Sequence, residues 1–497
     1  MSTRPSLHPE LVLGPNPFLE PLPPPVEYQQ LPLVLTRQPL RDVDVWSMPP
    51  AQRESLLQVS EKHFVATSEL LEIAAGIQIL LRRSLMLLNA TNKAERIRIN
   101  RVSMAADIDR LKSIPKVDGA GMLIEGVTGT GKSAVVRRTL EILVPDQVIE
   151  HGQSAVCDYY KLRQVYYLHI DQPSNGTRGA LLKRILLELD SVLGTDYAQK
   201  HHKTNNLDTL LVVVAQRLAV HRVAVLVIDE KQEGNFANQP WSVEFVLFYM
   251  MLMNLGVSVV LLGNPLAFTH LKAFSQVMRR FSTGGVHTLL PATEESAWWP
   301  KWFVPGARKF DLIEQWELDE AWRRAFELTH AGGLPGLYML LHREVMRSAL
   351  RRGGSTACVT QADCLAALKS PRYKEAARIA RSTASPSNED LTAFIDIPPL
   401  PTRARSKHEK LEGAGYSPTE RETGALPPVT AQRLTNMVTG LKKQQTLELN
   451  KMQQRIDLIQ KMSPEDARML GVSDELIQSM QCLLNDKAGS KSRSKGK

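Results

Sequence analysis

The clearest chemical signal in the sequence is a run of eight residues that matches the pattern G-x-x-x-x-G-K-[ST]. The run consists of Gly126, Val127, Thr128, Gly129, Thr130, Gly131, Lys132 and Ser133. It follows an apolar segment and precedes a helical pattern, which is the setting that a phosphate-binding loop requires. Glycines let consecutive backbone N–H groups face an anion, and the start of a helix adds partial positive charge. The motif therefore predicts an ATP site in which Lys132 reaches the β- and γ-phosphates and Ser133 ligates Mg²⁺.

Two adjacent acids end a later apolar segment. Asp229 and Glu230 follow the run Val-Ala-Val-Leu-Val-Ile at residues 223–228. We expect Asp229 to hold Mg²⁺ through its water shell, and Glu230 to orient and polarise the water that attacks the terminal phosphate. An acidic turn that caps a buried strand is the alternative interpretation. Because the pair follows a phosphate-binding loop, the sequence favours hydrolysis over a nucleotide that only stabilises a scaffold.

Three more polar residues are candidates for catalysis. Asn264 follows the apolar segment at residues 257–263, where it could place the attacking water or cap the loop before Pro265. Arg279 and Arg280 close the next helical pattern and are candidate arginine fingers, which complete the site of a neighbouring subunit. That role requires an oligomer. A solvated helix end, where cations suit the helix dipole, is the alternative.

Apolar segments and helical patterns alternate between residues 117 and 295, which is typical of a parallel sheet covered on both faces. We predict strands at residues 122–125, 165–171, 223–229 and 257–263. The apolar run at residues 243–263 is long enough for a membrane span, but Glu244 and the turn-like Asn254-Leu-Gly256 interrupt it. A buried helix followed by a buried strand is the better interpretation, and no membrane partner is expected.

Composition divides the rest of the chain. Residues 1–55 hold 12 of the 30 prolines, which predicts an extended or polyproline-like arm with little helix. Helical periodicity predicts a segment at 56–116 and a small helical lid at 296–370, on either side of an ATPase core at 117–295. Residues 371–430 have the composition of a linker, and 431–485 show apolar steps of three and four that indicate C-terminal helices. Residues 486–497 form a basic tail that we predict to be disordered.

Charge and cysteine content indicate which class of partner and which cellular compartment to expect. Lysine and arginine outnumber aspartate and glutamate 61 to 52, a net charge of +9 that suits a polyanion such as DNA. The candidate DNA contacts are basic residues before the core, and the alternative is a solvated basic face: Lys93, Arg96, Arg98, Arg101, Lys112 and Lys116. Four scattered cysteines match neither a zinc site nor a disulfide framework, and the first ten residues have no apolar signal core. These features favour a reducing cytoplasm.

In combination, these residues resemble the TnsC family, the AAA+ ATPase regulators of transposons that also encode TnsA and TnsB, and more distantly the TniB proteins. The resemblance covers residues 15–350. It rests on residues 16–20 before a proline-rich stretch, the phosphate-binding loop, 165–171 leading to Asn175-Gly176, 226–230 with Gln232, 261–265, and Arg279-Arg280.

This resemblance implies an α/β AAA+ P-loop NTPase, with a parallel sheet between helices, a small helical lid and a helical C-terminal segment. It implies a homo-oligomeric ring or helical filament on double-stranded DNA in the bacterial nucleoid. It further implies that the protein passes a signal from a TnsD/TniQ-type target selector to TnsA/TnsB-type transposase subunits, which the helices at 431–485 would contact.

Two departures from the family pattern bear on hydrolysis. Lys231 stands where similar proteins usually have an apolar residue, and residues 332–336 lack the arginine that many AAA+ proteins use to sense the γ-phosphate. Hydrolysis would then be slow, or another residue would sense the phosphate. A P-loop signalling switch or a helicase loader of DNA replication, built on the same core, is the alternative function.

Overall fold

The computed structural model describes residues 8–173, 177–231, 242–264, 267–268 and 271–384. The chain divides into two units, Met1–Pro398 and Pro399–Lys497, and every described residue belongs to the first. The predicted C-terminal helices at 431–485, the tail at 486–497 and the predicted linker beyond residue 384 lie outside the described residues. The same holds for Asn175, Gly176, Gln232 and Pro265.

Five parallel strands form the central sheet. The described residues contain nine strands in all, of which the central sheet uses five: β1 (Gly121–Gly126), β2 (Val148–His151), β3 (Leu162–Val165), β4 (Tyr167–Asp171), β5 (Val225–Lys231), β6 (Ser258–Gly263), β7 (Val286–Leu289), β8 (Gln315–Trp316) and β9 (Cys358–Val359). The central sheet has the order β4-β5-β6-β1-β7. The strands β2 and β3 form an antiparallel pair, and β8 and β9 form a short parallel pair. All four predicted strands are confirmed, whereas β7 and the β2–β3 pair had no prediction.

Helices precede, separate and follow these strands. Before β1 are α1 (Leu31–Leu35), α2 (Pro50–Leu56), α3 (Ser68–Leu87), α4 (Lys93–Ser103) and α5 (Ile108–Lys112). Between β1 and β7 are α6 (Lys132–Leu143), α7 (Arg178–Leu193), α8 (Tyr197–Lys200), α9 (Leu207–Val220), α10 (Ser242–Asn254) and α11 (Ser275–Phe281). After β7 are a π-helix (Trp299–Phe303), α12 (Val304–Ala307), α13 (Glu320–Ala331), α14 (Pro335–Gly353), α15 (Gln361–Lys369) and α16 (Ala376–Ala384).

The strands β1 and β6 are buried at every position, which explains why they are continuous apolar runs in the sequence. Alternate residues such as Met122, Ile124 and Val260 join one hydrophobic cluster with α3 and α6. The helices α10 and α11 contact β6 and β1. The apolar run at 243–263 is thus a helix followed by a strand, as predicted. Every described helix is too short or too polar to cross a lipid bilayer.

The N-terminal segment, predicted as an extended or polyproline-like arm with little helix, packs against the core and contains short helices. Phe18 and Leu19 are fully buried in the cluster that holds α3 and α6, and Asn16 Nδ2 donates to the carbonyl of Leu85 at 3.0 Å. Prolines do not prevent short helices here, because Pro32 and Pro50 stand in the first turn, where a backbone N–H has no partner inside the helix. Burial of apolar side chains therefore holds the described part of this segment, residues 8–55, against the core.

The predicted lid is a helical region with its own hydrophobic cluster. Phe326 of α13, Val345 of α14 and Cys364 of α15 are buried together, with Trp316 packed against them. The cluster also contains Tyr373, whose hydroxyl donates to the carbonyl of His330 at 2.6 Å. Residues 371–384, predicted to begin a linker, are instead packed on the lid through α16.

Candidate nucleotide site

The glycine-rich run forms a turn between β1 and α6. Gly129 and Gly131 have φ angles of 91° and 95°, a region that residues with a Cβ rarely adopt. Thr130 Oγ1 donates to the carbonyl of Val127 at 2.9 Å and holds the turn closed. A Cβ on Gly131 would meet no atom within 4 Å, so Gly131 is needed for its backbone angle, and the space beside it is open.

A lysine and the start of a helix supply positive charge at the glycine-rich turn. Lys132 begins α6, and its Nζ donates to the carbonyl oxygens of Gly126 at 2.6 Å and Val127 at 3.1 Å. The first N–H groups of a helix have no acceptor inside the helix, and they carry the positive end of its dipole. The half-exposed Ser133 occupies the second position of α6. These donors fit a polyphosphate, because its oxygens are acceptors only.

The buried carboxylate of Asp229 lies at the same edge of the sheet. In parallel strands the carboxyl ends meet at one edge, and only β6 separates β5 from β1, which places the two strand ends about 10 Å apart. The register between β5 and β6 shifts between Ile228 and Lys231, where β5 advances three residues and β6 advances two. Such a bulge redirects side chains. The backbone of Glu230 lies in this bulge, and its side chain is outside what the structure describes.

A histidine that the sequence did not single out contacts Asp229. His169 lies on β4, and its Nε2 is 3.3 Å from Asp229 Oδ2. An ionised carboxylate only accepts hydrogen bonds, so Nε2 is the donor in the tautomer that carries its proton there. His169 is a polar residue inside an apolar strand pattern, which is the signal that could have identified it.

The structure separates the two candidate arginines. Arg280 Nη1 donates to Asn254 Oδ1 at 2.7 Å, and burial lowers the pKa of its guanidinium, against the opposing charge of Asp118. Arg280 is thus half-buried and has a partner inside its own subunit, and its role as an arginine finger stays a prediction. Arg279, one residue earlier on α11, is exposed. Of the two candidates, Arg279 is the more accessible to a neighbouring subunit.

Asn264 stands at the carboxyl end of β6, between the ends of β5 and β1, which is the position that a water-placing residue needs. Its Oδ1 accepts the backbone N–H of Ala267 at 3.0 Å, so the side chain also caps its own loop. An ion pair further along the chain joins the segment after Asn264 to the strand that leads into the phosphate-binding loop. Lys272 Nζ lies 2.6 Å from the buried carboxylate of Glu125, the residue before Gly126.

The lid reaches the phosphate-binding loop directly. The N–H of Gly336, in the first turn of α14, donates to the carbonyl of Gly129 at 2.8 Å. Leu334 and Leu337 pack with Val127 in one cluster. At Gly333 the φ angle is 67°, and a Cβ would come within 2.0 Å of the carbonyl oxygen of Ala292, so only glycine fits. The arginine-free break at 332–336 is therefore the segment that brings the lid against the loop.

The structure also sorts the candidate DNA contacts. Arg98 is buried, with its guanidinium bound to Glu95 at 2.6 Å and to the carbonyl of Leu255 at 3.0 Å. Arg96 Nη1 donates to three carbonyls, including that of Val156 at 2.8 Å. Burial corrects the selection of Arg98 as a DNA contact, whereas the half-buried Arg96 stays a prediction. The other four candidates are exposed: Lys93, Arg101, Lys112 and Lys116.

The parallel five-stranded sheet, the glycine-rich turn and the helical lid define the AAA+ P-loop NTPase fold. A family model described as an AAA domain matches residues 118–271, which include the turn, β5 and β6. This family match implies nucleotide binding.

Other comparisons add little to this result. No curated protein matches the chain. Among solved structures it is similar to the Aeropyrum pernix ORC1 protein in complex with DNA, with a TM-score of 0.36 and 16% identity over 55% of this chain and 64% of that chain. It is also similar to domain III of the Thermotoga maritima replication initiation protein DnaA, with a TM-score of 0.29 and 16% identity over 56% of this chain and 92% of that chain. This chain thus spans less than two thirds of the ORC1 chain.

Proposed function

We propose that the protein is an ATP-hydrolysing regulator of transposition of the TnsC type. In this proposal it assembles on duplex target DNA and links a TnsD/TniQ-type selector to TnsA/TnsB-type transposase subunits. The observation that carries the hydrolytic part is the convergence of Lys132, the α6 N-terminus and Asp229 on one edge of the sheet. The sequence resemblance supports the transposition role and its partners.

Each residue of the site has a defined task in the proposed reaction. Lys132 and the first N–H groups of α6 neutralise phosphate charge, and Ser133 and Asp229 bind Mg²⁺ directly or through its water. Glu230 accepts a proton from the attacking water, which Asn264 helps to place. His169 contacts one oxygen of Asp229 and would help to fix the orientation of the carboxylate that would hold Mg²⁺. Magnesium supplies charge stabilisation at the terminal phosphate when it is bound.

The exposed Arg279 suggests a test of assembly. We expect Arg279→Ala to reduce ATP turnover at least about 100-fold, because an arginine supplied by a neighbour stabilises the charge of the transition state. An Arg279→Ala subunit keeps Glu230 in its own site, and a neighbouring Glu230→Gln subunit can supply Arg279 to that site. Mixing the two variants should therefore restore part of the ATP turnover. The control is Arg280→Ala, which should lower the melting temperature through loss of the Asn254 contact. No recovery in the mixture would contradict a role for Arg279 between subunits.

Assembly on DNA tests the transposition role against the alternative of a signalling switch or helicase loader. Purified protein is imaged by electron microscopy with duplex DNA and either ATP, a slowly hydrolysed analogue or ADP. We expect rings or filaments on DNA with the first two and few with ADP. Because phosphate contacts weaken with salt, the assemblies should disappear as the salt concentration rises. Their absence at low salt with every nucleotide would contradict the proposed role.

A further inference from the structure

An ion pair joins the strand that leads into the glycine-rich turn to the segment that leads into α11. Lys272 Nζ lies 2.6 Å from Glu125 Oε1 and donates to Oε2 at 2.7 Å, so it contacts both oxygens. Glu125 is only 3% exposed, and a buried carboxylate requires a cation or hydrogen-bond donors beside it. The hydroxyl of Thr288 on β7 adds a longer contact, at 3.4 Å. Lys272 is therefore held at the carboxyl end of β1.

The helix α11 is anchored to β1 at its other end as well. Lys272 belongs to a single 3-10 turn (Leu271–Ala273), and the N–H of Phe274, the N-cap of α11, donates to the first carbonyl of this turn at 3.2 Å. At the end of α11, Phe281 is fully buried, and a Cβ on Gly121 would come within 2.7 Å of its ring. Gly121 is the first residue of β1. The helix thus lies along the strand, with one contact near each end.

These two anchored elements serve different sites in the proposed assembly. The strand β1 ends at Gly126, whose carbonyl accepts Lys132 Nζ at 2.6 Å, so β1 carries the turn that would hold the subunit's own ATP. The helix α11 carries the exposed Arg279, which would reach the ATP of a neighbouring subunit. Val277 and Phe281 bury the opposite face of this helix. A shift of α11 along β1 would therefore move Arg279 relative to its own phosphate-binding turn.

We propose that Lys272 is a positioning residue for Arg279. Through its ion pair with Glu125, Lys272 fixes α11 against the strand that leads into the phosphate-binding turn, and it so aligns the arginine with the neighbouring site. This inference rests on the proposed function, in particular on the role of Arg279 between subunits. Alignment matters because a displacement of about 1 Å in a catalytic group costs on the order of 100-fold in rate.

The test removes the ammonium of Lys272 and measures ATP turnover and ATP affinity. We expect Lys272→Met to lose at least about 10-fold in turnover and to bind ATP with close to normal affinity, since the displaced group is the arginine. Lys272→Arg keeps a cation beside Glu125 and should restore most of the turnover. Lys272→Met combined with Glu125→Gln avoids an unpaired buried charge and should show the same loss. The control is Lys301→Met, which removes an exposed lysine of the lid region and should turn over ATP normally.

Mixtures of variants separate a displaced arginine from a damaged phosphate site. If Lys272→Met displaces Arg279, its own site still works, and a neighbouring Glu230→Gln subunit supplies a correctly placed arginine to that site. Turnover should then rise when these two variants are mixed. It should stay low when Lys272→Met is mixed with Arg279→Ala, because neither variant supplies a working arginine. A defect in the phosphate site of Lys272→Met predicts the opposite pattern, which would overturn the proposal.

The same experiments distinguish a failure of this inference from a failure of the proposed function. Normal turnover in Lys272→Met would overturn the positioning role of Lys272 and leave the role of Arg279 intact. If Arg279→Ala itself turned over ATP normally, the role of Arg279 between subunits would fail, and the positioning role of Lys272 would fail with it.

Discussion

Changing Lys132 to Ala should weaken ATP binding by about 3 kcal/mol or more, which is at least about 100-fold in Kd. The ammonium lies 2.6 Å from the carbonyl oxygen of Gly126, the first residue of the glycine-rich turn that we propose to hold the phosphates. Its loss leaves the negative charge of a bound triphosphate without its cationic partner. Isothermal titration calorimetry with Mg²⁺ and ATP measures the change.

The control for this variant is Lys112→Ala, which removes an exposed lysine remote from the turn. It should bind ATP as the unaltered protein does. Melting temperatures without nucleotide are measured for both variants, because Lys132→Ala also removes the hydrogen bonds to the carbonyls of Gly126 and Val127 and should lower the melting temperature modestly. Unchanged ATP affinity in Lys132→Ala would show that the glycine-rich turn is not the phosphate site.

Replacing Glu230 with Gln should reduce ATP turnover at least about 100-fold while ATP binding is retained, because a general base contributes roughly 100- to 10,000-fold to rate. An amide cannot take the proton from water, but it keeps the size and polarity of the side chain. Assemblies on DNA should then persist, since hydrolysis no longer dissolves them. Phosphate release and the lifetime of DNA-bound protein measure the two effects.

Asp229→Asn separates the two acids of this pair. It should lower the affinity for Mg²⁺, so that excess Mg²⁺ recovers part of its activity, whereas Mg²⁺ should not rescue Glu230→Gln. Glu294→Gln removes an exposed carboxylate and serves as the control. Normal turnover in Glu230→Gln would show that Glu230 is not the base.

The sequence predicted the central sheet because burial on two faces produces an uninterrupted apolar run, as in β6. The edge strand β7 was missed because three of its four residues are exposed or half-buried, so it lacks such a run. The packing of the N-terminal segment against the core was not predicted, for a different reason. Its prolines are local signals, whereas burial of Phe18 and Leu31 depends on residues far along the chain.

In the candidate nucleotide site, too, local signals were predictable from the sequence and long-range contacts were not. The glycine-rich turn was predictable because its chemistry lies within eight consecutive residues. The contacts of His169 with Asp229 and of Gly336 with Gly129 join distant segments, and no spacing in the sequence indicates them. For Arg98 a local signal did exist. Glu95 lies three residues earlier on the same helix, the spacing of an intrahelical ion pair.

The hydrogen bond between Gly336 and Gly129 joins main chain to main chain, so it transmits displacement without depending on any rotamer. The helix that starts there, α14, has 19 residues and is therefore about 28 Å long. A tilt of about 5° at the glycine end would displace the far end of this rod by about 2–3 Å. The joint thus gives the lid the geometry of a lever that pivots beside the glycine-rich turn.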